Sequence, residues 1–268
     1  MLDYFKIDPP FLLSFSGGRT SGYLLSRVLD AYGGVLPPGG IVMFANRGRE
    51  HPATLDFVNR ISNEWCRIYW IEYTAEAPGW CETSFASASR DGKPFGELIA
   101  KRKYLPNPVT RFCTSDLKVI PMRKAMRSLG HDDYTTVLGI RADEPRRVSK
   151  LRGDAERDIE MPLADAGIRS EDVLSWWAKQ PFDLRLPNND PAFGNCDLCF
   201  LKGSARIERV IRHDPASADW WAEQEAMRQA RFRKDRPTYA QVRAAITIQG
   251  ELFRPSDDDH TIPCECTD

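Results

Sequence analysis

Three groups of residues in this chain have the types and spacing to do chemistry. Ser16-Gly17-Gly18-Arg19-Thr20-Ser21 follows the apolar run 11–15 and precedes a helical pattern through Tyr23, Leu24, Leu25, Val28 and Leu29. Two glycines let a backbone turn tightly and approach a ligand closely. Ser16, Thr20 and Ser21 add hydroxyls, and the helix start adds N–H groups at the positive end of its dipole. Such a turn suits a phosphate or pyrophosphate. Its spacing matches neither the dinucleotide fingerprint nor the lysine-containing phosphate loop, and an ordinary strand-to-helix turn looks the same. The second group, Cys196-x-x-Cys199, puts two thiols on one loop at a spacing that grips one metal ion or cluster. A redox pair, or one ligand beside one core residue, is the plainer alternative. The third group is Arg141, Glu144, Arg146 and Arg147, in GIRADEPRR. Guanidinium forks hold phosphate or sulfate through paired hydrogen bonds, although a solvated charged loop has the same composition.

These groups need elements to hold them. Residues 11–15, 41–45 and 67–73 read as strands, and the segments between them carry helical periodicity, so the first 73 residues read β-α-β-α-β. That alternation predicts a parallel, doubly wound sheet, whose ligands bind beyond the carboxyl ends of the strands. The Ser16–Ser21 turn and the loop 46–50 both fall there. Residues 74–110 break the alternation and read as an insertion with a short helix over 95–103. A basic amphipathic helix follows over 118–129, then a fourth strand at 134–140 and a fifth at 159–163. A helix over 170–179 has Ser170 as its expected N-cap. Residues 180–195 read as a loop, and three helices near 204–212, 216–231 and 238–249 as a cap over the cysteine loop. The expected fold is α/β, with a doubly wound, mostly parallel five-stranded sheet of Rossmann-like type and a helical C-terminal cap. Residues 1–180 form the nucleotide-binding domain in this reading, and 181–268 the cysteine loop, cap and tail.

Composition narrows the classes. Hydrophobic residues make up 42% of the 268 and charged residues 28%, an ordinary soluble globular balance that can bury a sizeable core. A net charge of −1 gives no global pull toward nucleic acid or membrane. No apolar run approaches a membrane span, and no secretory signal is evident at Met1–Pro10. The expected setting is cytoplasmic and reducing, where seven cysteines are metal ligands, redox groups or core residues rather than structural disulfides. Cys66 and Cys81 read as core or incidental. His51, His131, His213 and His260 lack the spacing of a catalytic dyad. The pairs Trp176-Trp177 and Trp220-Trp221 read as packing, and Arg228–Arg236 as a solvated basic face.

SFSGGRTS resembles the pyrophosphate loop (PP-loop) of the adenine-nucleotide α-hydrolase-like enzymes. Within that group the chain is similar to the phosphoadenosine phosphosulfate (PAPS) reductase family. FANRGREHPATLDFV (44–58), RFCTSDLKVIPMRKAM (111–126), GIRADEPRR (139–147) and MPLADAGIRSEDVLSWW (161–177) match in order, and GNCDLCFLKG (194–203) adds the cysteine pair. The resemblance implies a nucleotide site at Ser14, Ser16, Gly17, Gly18, Arg19, Thr20, Ser21, Asn46, Gly48, Glu50, Gly139, Arg141 and Glu144. It implies catalytic roles for Cys113, Lys118, Arg141 and Arg147. It also implies a 4Fe–4S cluster on Cys113, Cys196, Cys199 and either Cys266 or Cys264, with zinc as the alternative metal. Phe112 stands where iron–sulfur members carry the first cysteine of a pair, Arg47 where the family usually has Thr, and Thr20 where ATP-using loops have Asp.

Two reactions follow from the resemblance. In one, ATP with Mg²⁺ adenylylates a substrate oxygen and a sulfur nucleophile displaces AMP. In the other, a cysteine thiolate attacks the sulfur of PAPS or adenylyl sulfate, and a thioredoxin-like reductant releases sulfite. The intact SGG favours ATP, and the tail Pro263-Cys264-Glu265-Cys266-Thr267-Asp268 lacks the Gly and His of the reductase tail. A nucleotide- or nucleic-acid-binding module with a structural metal is the third reading. The expected partners are an adenine nucleotide, a sulfur donor or reductant and a nucleic-acid substrate, with no membrane and with room for a homodimer.

Overall fold

The computed structural model describes residues 3–154 and 158–249. The tail cysteines Cys264 and Cys266 therefore lie outside the described residues. Six strands form one sheet: β1 (Phe11–Phe15), β2 (Gly40–Asn46), β3 (Tyr69–Glu72), β4 (Cys81–Thr83), β5 (Thr135–Leu138) and β6 (Ile159–Glu160), in the order β4-β3-β2-β1-β5-β6. All neighbours are parallel except β3 and β4. The doubly wound architecture is present, and the five-stranded expectation is corrected to six. The added strand is antiparallel, lies in the segment read as an insertion, and carries Cys81 exposed at the sheet edge rather than in the core.

The apolar runs explain the layers. A parallel sheet covered on both faces needs near-continuous apolar strands. Side chains alternate between the faces. Phe11, Leu13 and Phe15 enter the larger core with Leu24, Leu25 and Val28 of α1 (Arg19–Ala31) and Leu55, Val58 and Ile61 of α2 (Pro52–Glu64). Leu12, with Met43, Ala45 and Ile71, meets Met122, Ala125 and Met126 on the opposite face. Those methionines belong to α4 (Ile120–Ser128), the first long helix after α3 (Lys93–Arg102). Between α3 and α4 the chain makes a helical turn, Phe112–Thr114, and a wider π-helical turn, Ser115–Val119.

After β5 come α5 (Pro145–Arg152), the short α6 (Pro162–Asp165) and α7 (Ser170–Trp177). The N-cap of α7 is Arg169, not Ser170: the Asp172 carboxylate accepts from the Arg169 N–H at 2.8 Å. Trp177 crosses α1 at Gly22, where a Cβ would sit 2.6 Å from the indole, so only glycine fits that crossing. The indole N–H donates to the Arg19 carbonyl at 2.7 Å. Three helices then form the cap: α8 (Ser204–His213), α9 (Ser217–Arg228) and α10 (Tyr239–Gln249). The larger core runs without a break from Phe5 to Trp221, Phe232 and Tyr239. Trp177 and Trp221 are fully buried within it, as packing residues. No helix among the described residues is long and apolar enough to cross a membrane.

Candidate nucleotide site

Strand order reverses at β1, which has β2 on one side and β5 on the other. The crevice at such a switch point is where open α/β sheets bind ligands. The turn after β1 and the loop after β5 meet there. Gly17 has φ +84°, a left-handed conformation, and a Cβ at that position would lie 2.6 Å from the Thr54 methyl. The Ser16 hydroxyl donates to Ser21 Oγ at 3.0 Å and accepts from the Gly18 N–H at 3.3 Å; Ser21 Oγ donates to the Gly18 carbonyl at 2.9 Å. Ser16 and Ser21 therefore shape the turn from within. No side chain caps α1, and its first turn holds no acidic residue, which leaves the positive helix end to the crevice.

Across the switch point, Arg141 Nη1 donates to Thr20 Oγ1 at 2.9 Å. The Arg141 N–H donates to Glu144 at 3.0 Å and its Nε to Asp143 at 3.0 Å, which fixes the guanidinium in place. Together these residues line a cavity of about 390 Å³, closed on its other sides by Thr54, Val173, Leu174, Leu184, Leu186, Asn189, Asn195 and Arg206. One wall is aliphatic, one hydroxyl-rich and one cationic. Among the described residues, no carboxylate lines it.

The structure separates the sequence-derived candidates. Ser16, Gly17, Gly18, Arg19, Thr20 and Arg141 line the cavity. Arg19 lines it with its fork engaged: Nε and Nη2 donate to the Asp183 carboxylate at 2.7 and 2.8 Å, and Nη2 also to the Leu184 carbonyl. It fastens the loop before the cysteines. Ser14 faces the opposite side of the sheet, where its hydroxyl meets Met122 Sδ at 3.7 Å. Gly139 packs on the Ser21 backbone. Glu144 holds Arg147, whose Nε and Nη2 are buried without a hydrogen-bond partner, while Arg146 is exposed.

Asn46, Gly48 and Glu50 do not line the cavity. Asn46 Nδ2 donates to Glu72 and to the Ser89 carbonyl. Glu50 accepts from the Arg47 N–H at 3.0 Å and from Arg47 Nε at 2.5 Å, a fully buried ion pair. This loop instead meets the cysteine turn: Glu50 bridges Cys196, and the Asp197 N–H donates to the Arg49 carbonyl at 2.8 Å. The buried Lys202 ammonium reaches the carbonyls of Ala192, Gly194, Cys196 and Asp197 at 2.6–2.8 Å. The Cys196–Cys199 turn is thus wrapped around one lysine, an arrangement that no spacing rule anticipates. Cys113 is half-buried just before the π-helical turn, and Lys118 is buried within it. Among the described residues, no three His, Cys, Asp or Glu side chains gather to hold a metal ion.

His51 caps α2: its Nδ1 accepts from the Ala53 N–H at 3.1 Å. Burial, then the neighbouring His213, lowers its pKa and keeps the ring neutral. Burial raises the Cys66 thiol to about 11, which makes it an inert half-buried residue.

No family model matches the chain. A curated relative, the "Uncharacterized nin region protein ORF290" of Escherichia phage lambda, is 33% identical over 208 residues, spanning 73% of this chain and 67% of the relative. Among solved structures, a phosphoadenylyl-sulfate (PAPS) reductase from Candida auris in complex with phosphate is 15% identical. It aligns with a TM-score of 0.40 over 64% of this chain and 73% of that one.

Proposed function

The chain belongs to the family of the phage lambda nin region protein ORF290, and on the geometry of its cavity we propose that it is an enzyme that binds an adenine nucleotide at the turn after β1. The observation that carries this reading is the Thr20–Arg141 hydrogen bond at the mouth of the cavity. It puts a guanidinium and an uncapped helix start on one side of a space whose other wall is aliphatic. Phosphates suit the first and a purine the second.

The reaction we propose is adenylylation by ATP. A substrate oxygen attacks the α-phosphorus, the bond to the β-phosphate oxygen breaks, and pyrophosphate leaves. A sulfur nucleophile then displaces AMP. The left-handed Gly17 lets the backbone approach the phosphates, and Arg141 offsets charge on the departing pyrophosphate. The described residues lining the cavity offer no carboxylate, so Mg²⁺ would have to arrive bound to the nucleotide. Cys113, Cys196 and Cys199 are the proposed source of thiolate ligands or sulfur. The described residues do not by themselves complete a metal site.

The test is pyrophosphate release from ATP by the purified protein and by Arg141→Ala. Release that falls roughly a hundredfold in the variant supports the reading. Sulfite release from PAPS with thioredoxin, and none of pyrophosphate from ATP, replaces it with sulfonucleotide reduction. ATP binding with neither product leaves a binding module.

A further inference from the structure

A second pocket, of about 330 Å³, lies just beyond the carboxyl end of β3 and shares no lining residue with the nucleotide cavity. Tyr73, the residue after β3, forms its floor. Tyr73 is more than nine-tenths buried, and among the described residues its hydroxyl has no hydrogen-bond partner. A buried hydroxyl left without a partner is destabilising, so its persistence calls for an acceptor. Burial, followed by the Asp116 and Glu97 carboxylates, raises its pKa, so the phenol stays protonated and remains a donor.

Two lysines stand over it from separate helices. Lys101 of α3 donates to the Ala75 carbonyl at 2.9 Å, and Lys124 of α4 to the Pro78 carbonyl at 2.7 Å. Each ammonium has three protons, so one such bond leaves two on each. Arg102 is also in the lining, and Asp116, the one carboxylate there, is occupied by it. Gly79 completes the rim with φ +88°, a left-handed conformation that favours glycine.

We propose that this pocket is a second anion site, which takes a tetrahedral oxyanion, phosphate or sulfate, between Tyr73 Oη and the ammonium groups of Lys101 and Lys124. The chemistry fits: one neutral donor and two cations belong to the lining of one pocket, in which a single carboxylate is found among the described residues. The site is independent of the nucleotide reading. It does share the π-helical turn, because Asp116 is part of that turn and lines the pocket.

The experiment is a titration of protein carrying ¹³Cζ-labelled tyrosine with inorganic phosphate and, separately, with inorganic sulfate, followed by NMR. Tyr73→Phe assigns the Tyr73 resonance. The expected result is a saturable shift of that resonance. In the surface double variant Lys101→Gln/Lys124→Gln the affinity should weaken roughly tenfold or more. Arg141→Ala should leave the Tyr73 response as it is. A resonance that does not move with either anion overturns the proposal. So does an unchanged affinity in the double variant, or loss of the response in Arg141→Ala.

Discussion

Arg49 and Asp197 form a largely buried ion pair that ties the loop after β2 to the Cys196–Cys199 turn. The same carboxylate accepts from the Trp221 indole at 2.8 Å and from the Leu198 N–H at 2.7 Å. One residue between the two cysteines therefore joins the sheet, the cysteine turn and the cap. Asp197→Ala leaves the Trp221 indole without its acceptor and Arg49 with only the Ser217 carbonyl, and should cost about 3 kcal/mol of stability. Denaturant unfolding measures it. A loss under about 1 kcal/mol would mean the pair acts as an exposed one.

Close approach of α1 and α7 depends on Gly22. Gly22→Ala places a methyl 2.6 Å from the Trp177 ring, and overpacking of this kind costs about 1–3 kcal/mol. The double variant Gly22→Ala/Trp177→Phe, with its smaller ring, should recover part of that loss. A melting temperature unchanged by Gly22→Ala would show that the helices can slide apart.

Protonation of His51 should weaken the fold. Its native pKa lies below the ordinary histidine value of 6.5, so the unfolded chain takes up the proton first as pH falls. Stability contributed by the neutral ring is full above about pH 6.5 and is lost as pH drops toward the lowered native value. Protonation also removes the Nδ1 acceptor that caps α2. His51→Asn, which keeps a capping acceptor without titrating, should flatten the decline in melting temperature between about pH 7 and pH 5. An identical pH profile in the variant would sink the assignment.

The cysteines can be tested apart from the reaction. Iron, sulfide and zinc analysis of anaerobically purified protein should find metal that falls in Cys196→Ser and Cys199→Ser. Metal content unchanged in both would remove the pair from any metal site.

Strands β1, β2 and β3 were legible because buried parallel strands need apolar residues, and the half-buried β5 was legible from its β-branched Thr135-Thr136-Val137. The turn Ser16–Ser21 was legible because glycine and hydroxyl residues mark it directly. What escaped the sequence is contact between distant segments. Nothing local ties Arg19 to Asp183, yet that pair fastens the loop leading to the cysteines. Strand β4 escaped because three residues, two exposed and one half-buried, carry no buried pattern. The Asn46–Glu50 loop looked like a nucleotide contact because it follows β2 at the carboxyl edge, and the structure turns it toward Cys196 instead.

The wide turn at Ser115–Val119 bears on how this chain can vary. Each helical residue advances the backbone by about 100°. Deleting one residue inside the turn would tighten it to an ordinary α-helix and leave α4 seated on the sheet. Everything upstream would then rotate by about that angle, and Cys113 would be carried to a different face. Length at this point in the chain thus acts as a dial for the direction of the cysteine, and homologues that differ there by one residue should differ in where their thiol points.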